Sequence, residues 1–326
     1  MSSTTFFPRS RNRSLNKLRH LQREPRAWLY SFWKFSRPHT IIGTTLSVWS
    51  LGAIALAATG TFPTLAQFGD GLLAWLACLA GNIYIVGLNQ LEDIDIDKIN
   101  KPYLPLAAGE FSVLQGRTIV AAAGIAALEL AAIGGPWLLA TVAVSLAIGT
   151  AYSLPPIRLK RFPFFAAFCI LSVRGAIVNL GLFAHFEQIW TGAAALSATV
   201  WALATFILGF SIAIALFKDV PDTEGDRRYQ IATLTLLWGK SAVLGVTRAL
   251  IAACYLGLIV ATVLGLPDLN PTFTVLVHLG LLGAFLWRSR SLDLGYKPAI
   301  ASFYQFIWQL FFLEYLLFPL ASWLGH

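Results

Sequence analysis

The sequence predicts an all-α integral membrane protein, a bundle of nine transmembrane helices with two Asp-rich motifs on its cytoplasmic side. Three observations carry that prediction. The 326 residues are 57% hydrophobic and 12% charged, with a mean hydropathy of +0.67, whereas soluble domains carry about 25% charge. Nine apolar stretches approach the roughly 20 residues that cross a bilayer as a helix. The positive charges fall almost entirely on one side of the topology those stretches define.

In order, the spans cover 41–60, 71–90, 117–134, 136–153, 164–184, 191–217, 241–265, 272–288 and 302–322. The third and fourth are tightly joined, split only by Gly134-Gly135-Pro136. With a cytoplasmic N-terminus, segments 1–40, 89–117, 154–163, 218–240 and 288–301 lie inside and hold 22 of the 24 Lys/Arg. Arg174 and Arg248 fall within spans, and the outer loops have none. This is the positive-inside pattern, and the odd count puts the C-terminus outside.

Residues 1–39 carry nine Lys/Arg and one acid, Glu24, and read as a basic cytoplasmic arm that touches anionic lipid; residues 40–326 form the polytopic domain. The first long apolar stretch starts near Ile41 and outruns a signal peptide, while an organelle transit peptide is the alternative reading of the arm. The bases serve topology, and no nucleic-acid partner is expected. Cys78, Cys169 and Cys254 lie in apolar runs without metal-ligand spacing and read as packing thiols.

Eight of the sixteen acids crowd into two segments, Glu92 to Asp97 and Asp219 to Asp226, each directly after a span and on the same face. If the helix of the second span continues through the first segment, Asn89, Asp93 and Asp97 share one side at i, i+4, i+8, and Asp95 points elsewhere. In KDVPDTEGD, Asp219, Asp222 and Asp226 again share a nominal face, with Pro221 suiting a helix start and Gly225 fraying it. Simple solvation explains one such cluster; it explains two matching stripes of oxygens poorly. Gathered carboxylates suit a hard cation, and Mg²⁺ takes one or two of them plus substrate phosphates. An EF-hand fails, because its sixth and twelfth positions would be Lys98 and Leu104 rather than Gly and Glu.

The loop AYSLPPIRLKRFP brings Tyr152, Ser153, Arg158, Lys160 and Arg161 to the same face, and Lys98, Lys101, Lys218, Arg227 and Arg228 flank the acids. Topology alone explains any one of these bases equally well. Together with two carboxylate stripes they describe a metal-bridged diphosphate site above spans that hold a long hydrocarbon, which points to a lipid diphosphate. Lys98, Tyr152, Ser153, Arg158, Lys160 and Lys218 are the candidate diphosphate contacts. A divalent-cation transporter is the rival class. It needs polar residues along a whole path, and Glu129, Glu314 and Arg174 are too few to line one.

NQLEDIDID resembles the first Asp-rich motif, N-D/Q-x-x-D-x-x-x-D, of the UbiA-type intramembrane prenyltransferases, and KDVPDTEGD resembles their second, D-x-x-D-x-x-x-D. The YSLPPIRLKR loop and the nine spans fit too, so the resemblance covers about residues 30–322. The wording is nearest to the homogentisate prenyltransferases in SRPHTIIGT, NQLEDIDIDKINKPYLPLAAGEFS, RGAIVNLGLF and FKDVPDTEGDRRYQIATLTL, with Gln90 where many other members have Asp. The short arm looks more like that of a cyanobacterial member than of a plastid precursor.

The resemblance implies a UbiA-like bundle that transfers a phytyl group from phytyl diphosphate to homogentisate with decarboxylation, geranylgeranyl and solanesyl diphosphate being alternative donors. It implies two Mg²⁺ ions, one at Asn89, Asp93 and Asp97 and one at Asp222 and Asp226 with Asp219 beside them. Asp93, Asp97, Asp222 and Asp226 are its catalytic acids, Arg158 and Lys160 grip the departing pyrophosphate, and Tyr152 faces the allylic cation. Three residues are candidates for the acceptor. Arg174, within the fifth span, binds the homogentisate carboxylate or a motif aspartate, or else pairs structurally with Glu129 or Glu314. Asn179 reaches an acceptor hydroxyl or a neighbouring helix. His39 contacts the acceptor or caps the first span. His278 reads as a satisfied bundle histidine, and His20, His185 and His326 as surface residues.

Overall fold

The computed structural model describes residues 24–221 and 233–325. Among these, nine helices are long and apolar enough to cross a membrane. A short helix α1 (Pro25–Phe35) precedes them, docked through Ser31 and Lys34 on Glu110 at 2.7 and 2.5 Å. The basic arm therefore ends in a helix fastened to the bundle, and its residues 1–23 lie outside the described region.

The spans start where the sequence supplies proline or a capping side chain. Proline in the first turn, where its missing N–H costs nothing, opens α2 (Pro38–Ala57) and α6 (Pro136–Ser153). Reciprocal caps, Thr64 with Gln67 and Ser112 with Gln115, open α3 (Leu65–Glu92) and α5 (Val113–Gly134). These caps extend the second and third spans six and four residues ahead of their hydropathy onset. Between α3 and α5 lies the short α4 (Ile94–Asn100).

The fifth span is composite. It runs as α7 (Pro163–Leu171), a π-helical turn (Ser172–Ile177) and α8 (Val178–Thr191), stopping at Gly192 with φ +83°. The sixth span consequently starts later than hydropathy placed it, as α9 (Ala198–Phe217). Because α8 continues to Thr191, His185 is buried against the Phe186 ring, which corrects its assignment to the surface. A short α10 (Leu234–Trp238) leads to α11 (Lys240–Val263), α12 (Pro271–Arg290) and α13 (Lys297–Trp323).

The helices close into a ring. α2 packs on α3, α3 on α6, α6 on α8, α8 on α9 and α9 on α13, which returns to α2; α5 backs α3, and α11 and α12 back α9 and α13. The two halves differ in filling. α9 to α13 interlock buried rings, including Phe206, Phe210, Tyr255, Phe285, Phe303 and Phe318. α3 and α5 approach through small residues instead: a Cβ on Gly124 would meet the Tyr84 ring at 2.7 Å. Aromatic packing fills one half of the ring, and the other half holds a cavity.

Candidate active site

The cavity lies where α2, α3, α6 and the π turn meet. It has a volume of about 300 Å³, and Arg37, Asn82, Asn89, Tyr152, Arg174 and Tyr315 supply its polar lining. A deeper chamber of about 110 Å³ shares Thr44, Ser47, Ile85 and Ser145 with it and ends at Val48, Cys78, Val142 and Leu146. From Asn89 to Cys78 along α3 is roughly 16 Å at 1.5 Å per residue. The arginines lie in the larger cavity, and the deeper chamber is mostly apolar, with Thr44, Ser47, Asn82, Thr141 and Ser145 as polar exceptions.

At the mouth the helix through LEDIDID is not continuous. Asp93 leaves helical geometry (φ −114°, ψ 18°), ending α3 and opening α4. Asn89 and Asp93 stay together across the break, Asn89 Nδ2 donating to Asp93 Oδ2 at 3.2 Å. The break turns Asp97 inward, leaving it 4% exposed with Oδ2 lacking a hydrogen-bond partner. Burial, the largest influence, pushes the Asp97 carboxyl above the ordinary carboxylate range against the pull of Lys101 and Arg37. Lys101, 4.0 Å from Asp97 Oδ1, is pushed down by burial and by Arg37.

Two bases of the loop close on Asp93. Arg158 donates to Asp93 Oδ1 at 2.9 Å and Lys160 to Oδ2 at 2.5 Å. Tyr152 lines the cavity beside them. Three other candidates are placed elsewhere. Lys98 pairs with the highly exposed Asp95 on the outer side of α4. Ser153 is fully buried with its Oγ unpartnered. Lys218 is exposed at the end of α9, next to the partly buried Asp219. Asp222, Asp226, Arg227 and Arg228 lie outside the described residues.

Arg37 lines the cavity too, a site position that sequence reasoning missed. It joins α1 to α2 with φ +54°, a conformation uncommon outside glycine, and donates to Asn89 Oδ1 at 3.1 Å. Arg158 is likewise left-handed, with φ +39°. An arginine directly before the proline that opens the first span was the available signal. Among so many bases it read as topology alone.

Deeper in the cavity, Arg174 stands on the π turn. Its guanidinium lies over the rings of Trp308 and Phe311, at 5.2 and 5.9 Å, and among the described residues no carboxylate lies within salt-bridge distance. The suggested pairing with Glu129 or Glu314 does not form: Glu129 is exposed, and Glu314 Oε2 meets His278 Nε2 at 3.0 Å. Asn179 is fully buried with its amide in use. Nδ2 donates to the carbonyls of Arg174 and Gly175, each at 2.9 Å, and Oδ1 accepts from Tyr315 at 3.0 Å. His39, in the first turn of α2, makes no side-chain cap; it rests edge-on against Trp308.

A model of the UbiA prenyltransferase family matches residues 46–310. The chain belongs to this family. It is 54% identical to the homogentisate phytyltransferase of Synechocystis sp. over 91% of this chain and 97% of that one. Homogentisate phytyltransferase 1 of Arabidopsis thaliana is 43% identical over 91% of this chain and 77% of that one. Homogentisate solanesyltransferase of the same plant is 37% identical over 88% and 75%. Among solved structures, digeranylgeranylglyceryl phosphate synthase superposes with a TM-score of 0.64 at 17% identity, covering 90% of this chain and 98% of that one. A UbiA homologue from Archaeoglobus fulgidus bound to GPP and Mg²⁺ superposes at 0.60 with 19% identity, over 89% and 99%. These two likenesses show a shared fold. The nine spans and the family together make this prenyltransferase an integral membrane protein.

Proposed function

We propose that this prenyltransferase is a homogentisate phytyltransferase, transferring a phytyl group from phytyl diphosphate to homogentisate with loss of CO₂. The observation that supports it best is the 54% identity to the Synechocystis enzyme over nearly its whole length. The identity is lower, 37%, to a relative named for solanesyl transfer. We further infer that 1–39 is an arm before one polytopic domain, and that the arm and the mouth of the cavity face the cytoplasm, where the positive-inside pattern places them.

The donors at the mouth are all oxygens, the ligands a hard divalent cation such as Mg²⁺ takes; Asp97 Oδ2 is buried and unpartnered, while Asn89 Oδ1 and both Asp93 oxygens are held by Arg37, Arg158 and Lys160. Asn89, Asp93 and Asp97 would hold one ion, and Asp219, Asp222 and Asp226 a second. Such ions supply neutralisation of the departing diphosphate. Arg37, Arg158 and Lys160 present three cationic side chains to the same group, with guanidinium forks suited to phosphate oxygens. As the allylic C–O bond breaks, the diphosphate leaves with the bonding pair and a ring carbon of homogentisate bonds to the allylic carbon. The carboxyl departs as CO₂, and the proton released from the ring is balanced by the one gained at the new methyl group. Tyr152 lines the space where the allylic charge develops, and the apolar chamber takes the tail and excludes water. Arg174 faces the acceptor carboxylate with His39 near it, both around Trp308.

Purified protein supplied with Mg²⁺, homogentisate and separately phytyl, geranylgeranyl and solanesyl diphosphate tests this by mass spectrometry of the products. A decarboxylated phytyl quinol formed fastest is the expected result. Preference for solanesyl keeps the chemistry and overturns the donor. No quinol from any donor overturns the acceptor.

A further inference from the structure

The deeper of the cavity's two arginines, Arg174, is carried on an irregular piece of backbone, and the structure shows what keeps that piece in shape. A π turn adds a residue to a helical turn and leaves carbonyls poorly served; such turns cluster at functional sites. Here the π turn at Ser172–Ile177 is closed by Asn179, whose two amide hydrogens go to the carbonyls of Arg174 and Gly175. The remaining acceptor of Asn179 receives the hydroxyl of Tyr315, which is 2% exposed. Tyr315, Phe311 and Trp308 are at i, i−4 and i−7 on α13 and share one face. One face of one helix therefore supplies both the rings under the guanidinium and the hydroxyl that fixes the backbone carrying it. Gly175 completes the fit, since a Cβ there would meet Leu208 Cδ1 at 2.8 Å.

We propose that Asn179 and Tyr315 are positioning residues for Arg174, a latch between the π turn and α13 that aims the guanidinium at an anionic group on the aromatic acceptor and so makes the enzyme select carboxylated acceptors. The proposal rests on the reading that Arg174 meets the acceptor. It assigns Asn179 to the arginine rather than to an acceptor hydroxyl, because Asn179 is buried and both its donors are taken. A guanidinium held in place gives up little freedom on binding, whereas one on a loosened turn must be ordered by the ligand itself. Loss of the latch therefore weakens the acceptor selectively.

The test compares homogentisate with its neutral amide as ligands for the full-length enzyme in detergent, by inhibition or direct titration, in wild type, Arg174→Gln, Tyr315→Phe, Asn179→Leu and the double variant Arg174→Gln/Tyr315→Phe. The ratio of the two affinities is independent of the fraction of protein that is active, so a merely structural defect does not move it. Wild type is expected to favour the carboxylate at least tenfold. Arg174→Gln should bring the ratio near one, and Tyr315→Phe should lower it several-fold with the donor KM unchanged. The double variant should match Arg174→Gln alone, because a latch has nothing left to aim. A collapsed ratio in Arg174→Gln beside an unchanged one in Tyr315→Phe and Asn179→Leu overturns the latch and leaves the acceptor site standing. An unchanged ratio in Arg174→Gln overturns the acceptor reading itself.

Discussion

Arg174 and Glu314 are both ionisable residues deep in the bundle, and the protein treats them in opposite ways. Glu314 is fully buried with His278 Nε2 at 3.0 Å, and the other ring nitrogen of His278 lies 2.6 Å from the Thr274 carbonyl. With Nδ1 donating to that carbonyl, one proton is shared between Nε2 and Oε2. Rings of Phe206, Tyr255 and Phe318 lie 5.9 to 6.3 Å from the histidine and close the surroundings. Arg174 has ring faces beneath it, a cavity in front and no carboxylate partner among the described residues. Arg248 is a third case, its guanidinium satisfied by the Ser289 hydroxyl and carbonyl on α12. A charge in a bilayer is costly unless something answers it. Glu314 and Arg248 meet partners within the protein, and Arg174 faces the cavity, where the proposed acceptor would answer it.

The largest expected effect lies at the mouth. Asp93→Ala removes the carboxylate on which Asn89, Arg158 and Lys160 all converge, and should lower turnover by about a thousandfold or more, as chelation with EDTA should in wild type. Helicity by circular dichroism should stay unchanged. A variant with a tenth of normal activity would remove Asp93 from the machinery.

Next comes the sealed pair. His278→Ala leaves Glu314 buried without its partner, which should cost about 3 kcal/mol of stability. The signature to look for is a lower melting temperature with unchanged KM for both substrates. An altered acceptor KM would break the contrast drawn above. Arg174→Gln should do the reverse, raising the acceptor KM about ten- to a hundredfold, or roughly 1.4–2.8 kcal/mol, without lowering the melting temperature.

Two smaller effects sharpen the picture. Ser145 lines both chambers, so Ser145→Phe should favour geranyl over phytyl diphosphate several-fold in competition, if the deep chamber holds the tail. At Asp97 the raised carboxyl pKa means that the metal-free protein takes up a proton at a higher pH than an ordinary aspartate would. Divalent-cation affinity should therefore begin to fall on acidification above the usual carboxylate range, by up to tenfold per pH unit below that pKa. Asp97→Asn should flatten the part of the profile that Asp97 contributes.

Much of this was legible in the sequence because hydropathy and charge are one-dimensional signals. The nine spans and the placing of the basic loop and the acids on one face came from them directly; that Arg158 and Lys160 close on Asp93 itself did not. Span ends were displaced wherever a local device overrode hydropathy: the Thr64 and Ser112 caps lengthened two helices, and Gly192 shifted the sixth. The break at Asp93 was invisible, since no glycine or proline marks it. The π turn left no trace either: the residue that serves its carbonyls, Asn179, is itself held by a tertiary bond from Tyr315, 136 residues away. Lys98 has the right charge on the wrong side of a seven-residue helix, a distinction that depends on that same break.

The contrast between the two buried charges is tested most directly by titrating homogentisate into wild type, Arg174→Gln and His278→Asn and melting the same samples. The account predicts that His278→Asn melts lower yet binds as wild type, and that Arg174→Gln melts no lower yet loses at least tenfold in affinity. Wild-type affinity in Arg174→Gln, or a loss of stability there matching that of His278→Asn, would contradict it.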